Sequence, residues 1–489
     1  MGWRTPVKAG ISLVLDGPPG TGKSQTIANI IAESLATGKT VLFVSEKAAA
    51  RQVVKRRLDA SNLGDFCLEC HKANKKEVIA ELGRCLDEHE DLITTFHDLD
   101  QEAVAGASKR IREKLLADAE RPHIGMLAAP PSSEVGILLR EVAKQKRHLA
   151  LRQLFGRIPT LLPRLKPCLM TSPLTVSTFL DSPDLKFDLV IFDEASQVRP
   201  FDAIGAVYRG SQLIVAGDEK QLPPTSFFDR DGDDDEDEDD EDVAGRLSDF
   251  ESILKVCCSI GMRRQRLRWH YRSRREPLIA FSNRKFYENE LVTFPSVFDA
   301  DGATAVQFQF VPDGRWCPGT QGGFNRAEAR ETALLVFRLL DQYPDDSLGV
   351  ITFNTRQQLE VLGELARLRH DRPEMEEFFQ EDRNDSCFVK NLETVQGDER
   401  HRIIISVGYA RDEQGKFAMR FGPLNVEGGE RRLNVAVTAC FPSCSSIRVS
   451  RRTGRGCDLT FVPACPINGV SLTSDWHRPL VFNRSWSRS

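Results

Sequence analysis

Leu13-Val14-Leu15-Asp16-Gly17-Pro18-Pro19-Gly20-Thr21-Gly22-Lys23-Ser24 is an apolar strand-forming run that enters a G-x-x-x-x-G-K-S loop. The glycines let backbone N–H groups converge on phosphate oxygens. Lys23 brings positive charge to the β- and γ-phosphates, and the Ser24 hydroxyl is a ligand for Mg²⁺. Gln25 to Ala36 read as the helix such a loop opens, with its free amides and positive dipole end turned to the anion. Thr40 to Ser45 is a second short apolar run, and Glu46 to Leu58 is helical, with Lys and Arg facing outward. A βαβ start of this kind implies a parallel sheet.

Working outward, Lys75 to Leu154 is rich in Glu, Lys, Arg and Leu, poor in β-formers and broken by Pro122, Pro130 and Pro131, which predicts a helical insertion over about 75–160. Strand character returns at Cys168 to Phe179 and at Phe187 to Phe192, the latter running into Asp193-Glu194-Ala195-Ser196-Gln197. Two carboxylates then stand at the C-terminal edge of a strand, where open α/β sheets bind ligands. Asp193 is suited to the Mg²⁺ shell beside Ser24, and Glu194 to orienting an attacking water. Gln212 to Asp218 repeats the strand pattern. A second α/β unit begins near Leu267, with buried strands at Leu348–Phe353 and Arg402–Val407 and amphipathic helices at Ala327–Leu340 and Gln357–Leu368.

The 489 residues carry a net charge of −5, yet positions 229–242 alone hold 12 acids against one Arg, so the remainder sums to +6. That mild basic excess is compatible with a nucleic-acid partner, and the acidic run reads as a solvated loop. No apolar stretch approaches a membrane span and Met1-Gly2-Trp3-Arg4 has no secretory pattern, so a cytoplasmic or nucleoid-associated protein with no membrane partner is expected. Twelve cysteines in a chain of this length do not make a disulfide framework. Cys67-Leu68-Glu69-Cys70-His71 matches a haem-attachment spacing once, but the simpler reading is thiols at a strand end. From Ala439 to Ser489 there is neither Lys nor Glu but there are seven Arg, nine Ser and four Cys, and little packed structure is expected.

Six stretches together resemble motifs I, II, III, IIIa/IV, V and VI of superfamily 1 helicases, in the family's order. They are Gly17–Ser24; Asp193–Gln197; Gly217-Asp218-Glu219-Lys220-Gln221-Leu222-Pro223-Pro224; Trp269-His270-Tyr271-Arg272-Ser273-Arg274; Thr394-Val395-Gln396-Gly397-Asp398-Glu399; and Arg431-Arg432-Leu433-Asn434-Val435-Ala436-Val437-Thr438. The 1B branch of DNA and RNA helicases, with an AAA-type P-loop domain, is the nearest likeness. The Gly-Asp-x-x-Gln-Leu-Pro-Pro stretch disfavours an unrelated AAA+ remodelling machine. The resemblance implies two RecA-like domains with parallel sheets, at 1–265 and 266–438, followed by an irregular tail at 439–489.

By the same resemblance Gly17, Pro18, Pro19, Gly20, Thr21, Gly22, Lys23 and Ser24 hold ATP, and Mg²⁺ sits on Ser24 and Asp193. Lys23, Asp193, Glu194, Gln221 and Arg272 act in catalysis, with Gln221 sensing the γ-phosphate and Arg272 serving as the finger. Tyr271 stacks on adenine, Glu399 accepts from the ribose, and Thr394 and Gln396 lie where motif V meets nucleic acid. The implied activity is ATP-driven translocation or unwinding by a monomer on single-stranded or partly duplex nucleic acid, DNA favoured over RNA. A degenerate ATP-binding module is the alternative. One departure bears on that choice: the family's motif VI continues Thr-Arg-Ala, whereas Thr438 is followed here by Ala439-Cys440. The γ-phosphate arginine is missing, and the sequence is expected to diverge or be truncated from that residue on.

Overall fold

In the computed structural model, the described residues are 4–70, 75–95, 132–180, 182, 185–224, 251–273, 276–294, 306–318, 323–380, 386–417, 421, 424–425, 428–439 and 447–449. They form two units, the first ending at His270 and the second beginning at Tyr271. The division falls five residues later than position 265/266, for a physical reason. Arg263–Arg266 is a strand of the first sheet, the Leu267 amide donates to the Asp16 carbonyl at 2.8 Å, and His270 reaches the P-loop.

The first unit is built on seven parallel strands: β1 (Leu13–Asp16), β2 (Val41–Ser45), β3 (Cys67–Glu69), β4 (Cys168–Thr171), β5 (Phe187–Asp193), β6 (Gly210–Gly217) and β7 (Arg263–Arg266). Their order across the sheet is β3-β4-β2-β5-β6-β1-β7. Both faces are covered, so the central strands are continuous apolar runs rather than alternating ones. Leu13, Leu15, Val41, Phe43, Leu189 and Ile191 point to one core, with Ile27, Ile30 and Ile31 of the helix Lys23–Ala36. Val14, Leu42, Val44, Val190 and Phe192 point to the other, with Leu154 and Phe155 of the helix Leu151–Arg157 and Leu254 of the helix Ile253–Ser259.

Among the described residues the insertion carries helices at Lys75–Thr95, Glu134–Val142, Leu151–Arg157 and Leu161–Leu165, joined by short irregular segments. Lys166, buried, clamps it to the sheet domain: Nζ is 2.6 Å from Glu81 Oε1 and donates to the Asp65 carbonyl at 2.8 Å. The strand expected over Cys168–Phe179 stops at Thr171, and Pro173–Phe179 is a helix. Ser172 accepts a hydrogen bond from the Thr175 amide, and Pro173 takes the first helical position, where its missing N–H costs nothing. Cys67 and Cys70 are buried and free, and burial pushes the Cys70 thiol up to about 12, which fits packing rather than haem attachment; His71 lies outside the described residues.

The second unit carries a five-stranded parallel sheet made of β8 (Val306–Phe308), β9 (Leu348–Thr352), β10 (Phe388–Asn391), β11 (Arg402–Ser406) and β12 (Ile447–Val449), ordered β10-β9-β11-β12-β8. The helices Arg326–Gln342 and Thr355–Asp371 contribute Ala329, Ala333, Val336, Leu340, Val361 and Leu365 to its core. β12 is a three-residue strand within the stretch expected to be an irregular tail, the rest of which, beyond Ala439, lies outside the described residues. Ile447-Arg448-Val449, two β-branched residues around a polar one, pairs with Ile403–Ile405 on one side and Val306–Phe308 on the other. The acidic run at 229–242 and positions 450–489 lie outside the described residues. No described helix is long and apolar enough to cross a membrane.

Candidate nucleotide site

β1 delivers the chain to Gly17 at the C-terminal edge of the first sheet, and Gly17 N–H donates to the Gly217 carbonyl at 2.9 Å, tying the loop to the end of β6. Gly20 and Gly22 have φ of +75° and +78°, a region that only glycine enters without strain. At Gly17 the constraint is space, since a Cβ there would stand 3.1 Å from the Lys23 side chain. The Thr21 hydroxyl donates to the Pro18 carbonyl at 2.7 Å and its amide to the same oxygen at 3.2 Å, closing a tight turn. Lys23 opens the helix that ends at Ala36.

β5 ends at Asp193, buried at 1% exposure, and Asp193 Oδ1 accepts from the Glu194 amide at 2.9 Å. Glu194 has φ +52° and ψ +40°, a left-handed conformation unusual for a residue with a Cβ, and it starts the short turn of helix Ala195–Gln197. The turn swings its carboxylate to Lys23, whose Nζ lies 2.7 Å from Glu194 Oε1. Burial opposes the charge on Lys23, but Glu194, Asp193 and Asp218 outweigh it and leave the ammonium held above its ordinary value. Burial also pushes Asp193 up to about 7; Lys23 lowers it, and the like charge of Glu194 raises it further. Gln221, buried at 8%, follows β6 and its amide donates to the Asp218 carbonyl at 3.2 Å. The first unit thus gathers Lys23, Asp193 and Glu194 at one point and puts Gln221 in the loop after the neighbouring strand.

Several contacts that fix this geometry could not be read from any one stretch of the sequence. Asp16, at the end of β1, is 2.8 Å from Arg266 Nε and 3.4 Å from Arg264 Nη2, and Arg264 also meets Glu219 at 3.0 Å. His270, 1% exposed, has its Nδ1 at 2.9 Å from the Pro19 carbonyl of the loop itself. The contacts of Asp16 and Pro19 join positions some 250 apart, beyond any single motif or periodicity.

In the second unit, Arg272 forms an ion pair with Glu399, and its Nη1 donates to the Thr438 carbonyl at 3.2 Å. Two residues assigned by resemblance to different parts of the nucleotide are therefore paired with each other. Tyr271 is 58% exposed, its ring 5.7 Å from that of Phe294. Thr394 is exposed and its hydroxyl donates to Asn391 Oδ1 at 2.9 Å, whereas Gln396 is buried, so of the two motif V residues only Thr394 offers a side chain to the surface. Glu430–Thr438 is a helix with Arg432 turned inward onto Glu393 at 3.2 Å, and Ala439, where the family has an arginine, is buried at 4%.

A P-loop between a strand and its helix, with a buried Asp-Glu pair at the end of a parallel neighbour, defines an AAA-type P-loop nucleotide-binding protein. Residues 4–227 match one family model described as an AAA domain, and residues 248–441 match a second with the same description. The uncharacterized ATP-dependent helicase MG140 of Mycoplasma genitalium is 34% identical over 321 residues, covering 61% of this chain and 27% of that protein. Its Mycoplasma pneumoniae homologue is 35% identical over 271 residues, covering 52% and 22%. DNA-binding protein SMUBP-2 of Mesocricetus auratus is 23% identical over 448 residues, covering 87% and 40%. The chain thus carries two segments matching AAA-domain models and is similar to proteins named ATP-dependent helicases. It spans between about a fifth and two fifths of the length of these curated relatives.

Proposed function

We propose that this chain is an ATP-hydrolysing helicase or translocase acting as a monomer on single-stranded or partly duplex nucleic acid, DNA in preference to RNA, in the cytoplasm or on the nucleoid. The observation that carries the reading is the meeting of Lys23, Glu194 and Asp193 beside the P-loop. Lys23, charged and paired with Glu194, would turn to the phosphates when a nucleotide binds, leaving Glu194 to polarise a water, while the loop amides would take the charge that spreads over the transferred phosphoryl group. Arg272 supplies the further positive charge the resemblance assigns to it.

The residues fit Mg²⁺. A hydroxyl and a buried carboxylate are hard oxygen donors, and Asp193 is held near neutrality by its surroundings, so a divalent cation would relieve its burial. Ser24 and Asp193 would hold the ion, which when bound neutralises phosphate charge. DNA affinity of this kind rests on phosphate contacts and base stacking, with little sequence readout.

The experiment is ATPase rate with and without single-stranded DNA and single-stranded RNA, alongside strand displacement. Stimulation by DNA above RNA supports the reading. A second reading, a nucleotide-binding module with slow turnover, is favoured by Ala439 alone, and turnover unresponsive to either nucleic acid would select it.

A further inference from the structure

We propose that His270 is a positioning residue for nucleotide binding: by holding the Pro19 carbonyl, its ring turns the Gly20 N–H toward the phosphates of a nucleoside triphosphate. The inference rests on the P-loop reading and adds to it a residue far from the loop in sequence.

His270 Nδ1 lies 2.9 Å from the Pro19 oxygen, and the ring is 1% exposed. A carbonyl oxygen only accepts, so Nδ1 carries the proton in this contact, and the tautomer is set by the partner. The Pro19–Gly20 peptide is trans, as are the others in the described chain. In a planar trans peptide the C=O and N–H point in opposite directions. Fixing the Pro19 carbonyl on His270 therefore sends the Gly20 N–H away from the ring, and that N–H has no acceptor among the described residues. On the other side of the same turn, Thr21 holds the Pro18 carbonyl through both its hydroxyl and its amide. Gly20 itself, at φ +75°, has no side chain to resist a flip of the peptide plane, so the orientation has to be imposed from outside the loop. His270 imposes it from the end of the strand–loop segment that follows β7.

The test compares His270→Ala, His270→Asn and His270→Gln for binding of a fluorescent ADP and a non-hydrolysable ATP analogue with Mg²⁺, without nucleic acid. Asn carries an N–H the same number of bonds from Cα as Nδ1 does, and Gln does not. Affinity should fall about tenfold in His270→Ala and His270→Gln, the scale of one lost hydrogen bond to a charged group, and return to within about threefold in His270→Asn. A purely structural role would be read in the urea midpoint and would not discriminate Asn from Gln. Parental affinity in His270→Ala, or an Asn variant as weak as Gln, overturns the proposal. Lys23→Ala, measured in parallel, separates the two readings. If it loses binding while His270→Ala does not, only the role of His270 fails; if it too binds like the parent, the nucleotide site itself is misassigned.

Discussion

Lys23 and Glu194 should behave as one energetic unit, and a double-mutant cycle between them measures how strongly. At 2.7 Å the gross attraction is about 6 kcal/mol for an effective dielectric of about 20, and taking the two charges out of water offsets much of it. The side chains retain 11% and 18% of their exposure, so the coupling belongs between surface and fully buried pairs, at about 1–3 kcal/mol. Lys23→Ala leaves Glu194 and the deeply buried Asp193 without their cation and should cost about 2–4 kcal/mol at pH 8. Glu194→Gln should cost about 1 kcal/mol or less, because Lys23 keeps Asp193 and Asp218 and Asp193 loses a like-charged neighbour. Asp193 titrates near 7 in the fold, above its ordinary 3.8, so part of the Lys23→Ala deficit should disappear at pH 6, where that carboxyl is mostly protonated. Urea denaturation of the parent, both single variants and the double variant at the two pH values is the assay. Costs that add within about 0.5 kcal/mol would refute the coupling. The same contact bears on activity: Glu194→Gln releases Lys23 to the phosphates and should bind ATP a few-fold more tightly while losing hydrolysis, whereas Lys23→Ala should lose both.

Glu328, buried in the second unit, is pushed up to about 7 by burial despite accepting from the Ser406 hydroxyl at 2.9 Å and the Gly408 amide at 3.0 Å. An acid whose folded value exceeds its unfolded value near 4.5 binds more protons when folded, so stability should fall by about 3 kcal/mol as pH rises from 4.5 to 7 and then level off; Glu328→Gln should abolish that slope in pH-dependent denaturation, and an unchanged slope would count against it. Glu399→Ala frees Arg272 from its ion pair, and nucleic-acid-stimulated ATPase measured in that variant should change in KM for ATP, whereas Arg272→Ala should depress kcat; identical effects would argue that the pair is only structural. Ala439→Arg should raise stimulated ATPase several-fold, read together with melting temperature because Ala439 is buried, and no gain over an already fast parent would show that the motif VI arginine is dispensable here.

The parallel sheet of the first unit and the Lys23–Asp193–Glu194 constellation were legible because each rests on contiguous residues: an apolar strand, a glycine loop, a carboxylate pair at a strand end. What the sequence hid was carried by contacts at long separation, such as Asp16 with Arg266 and His270 with Pro19, whose partners share no motif. Pro173–Phe179 was misread because Val176 and Thr178 suit a strand as well as a helix, although Ser172-Pro173 marks a helix start. Ile447–Val449 lies in a stretch whose composition has no helical or strand period, and its place is set by pairing with β11 and β8, strands distant in sequence.

The position of β1 constrains the order in which this protein can be made. First in sequence, it lies between β6 and β7, the last two strands of its sheet. A chain growing from the ribosome therefore carries the P-loop well before both flanking strands and His270 have emerged to hold it. Such pairings across most of the unit are the slow, late kind, and ATP, which stabilises only a formed site, can assist folding only after they close. Over some 250 residues made between Pro19 and His270, the nucleotide-binding motif exists without the contacts that complete its site.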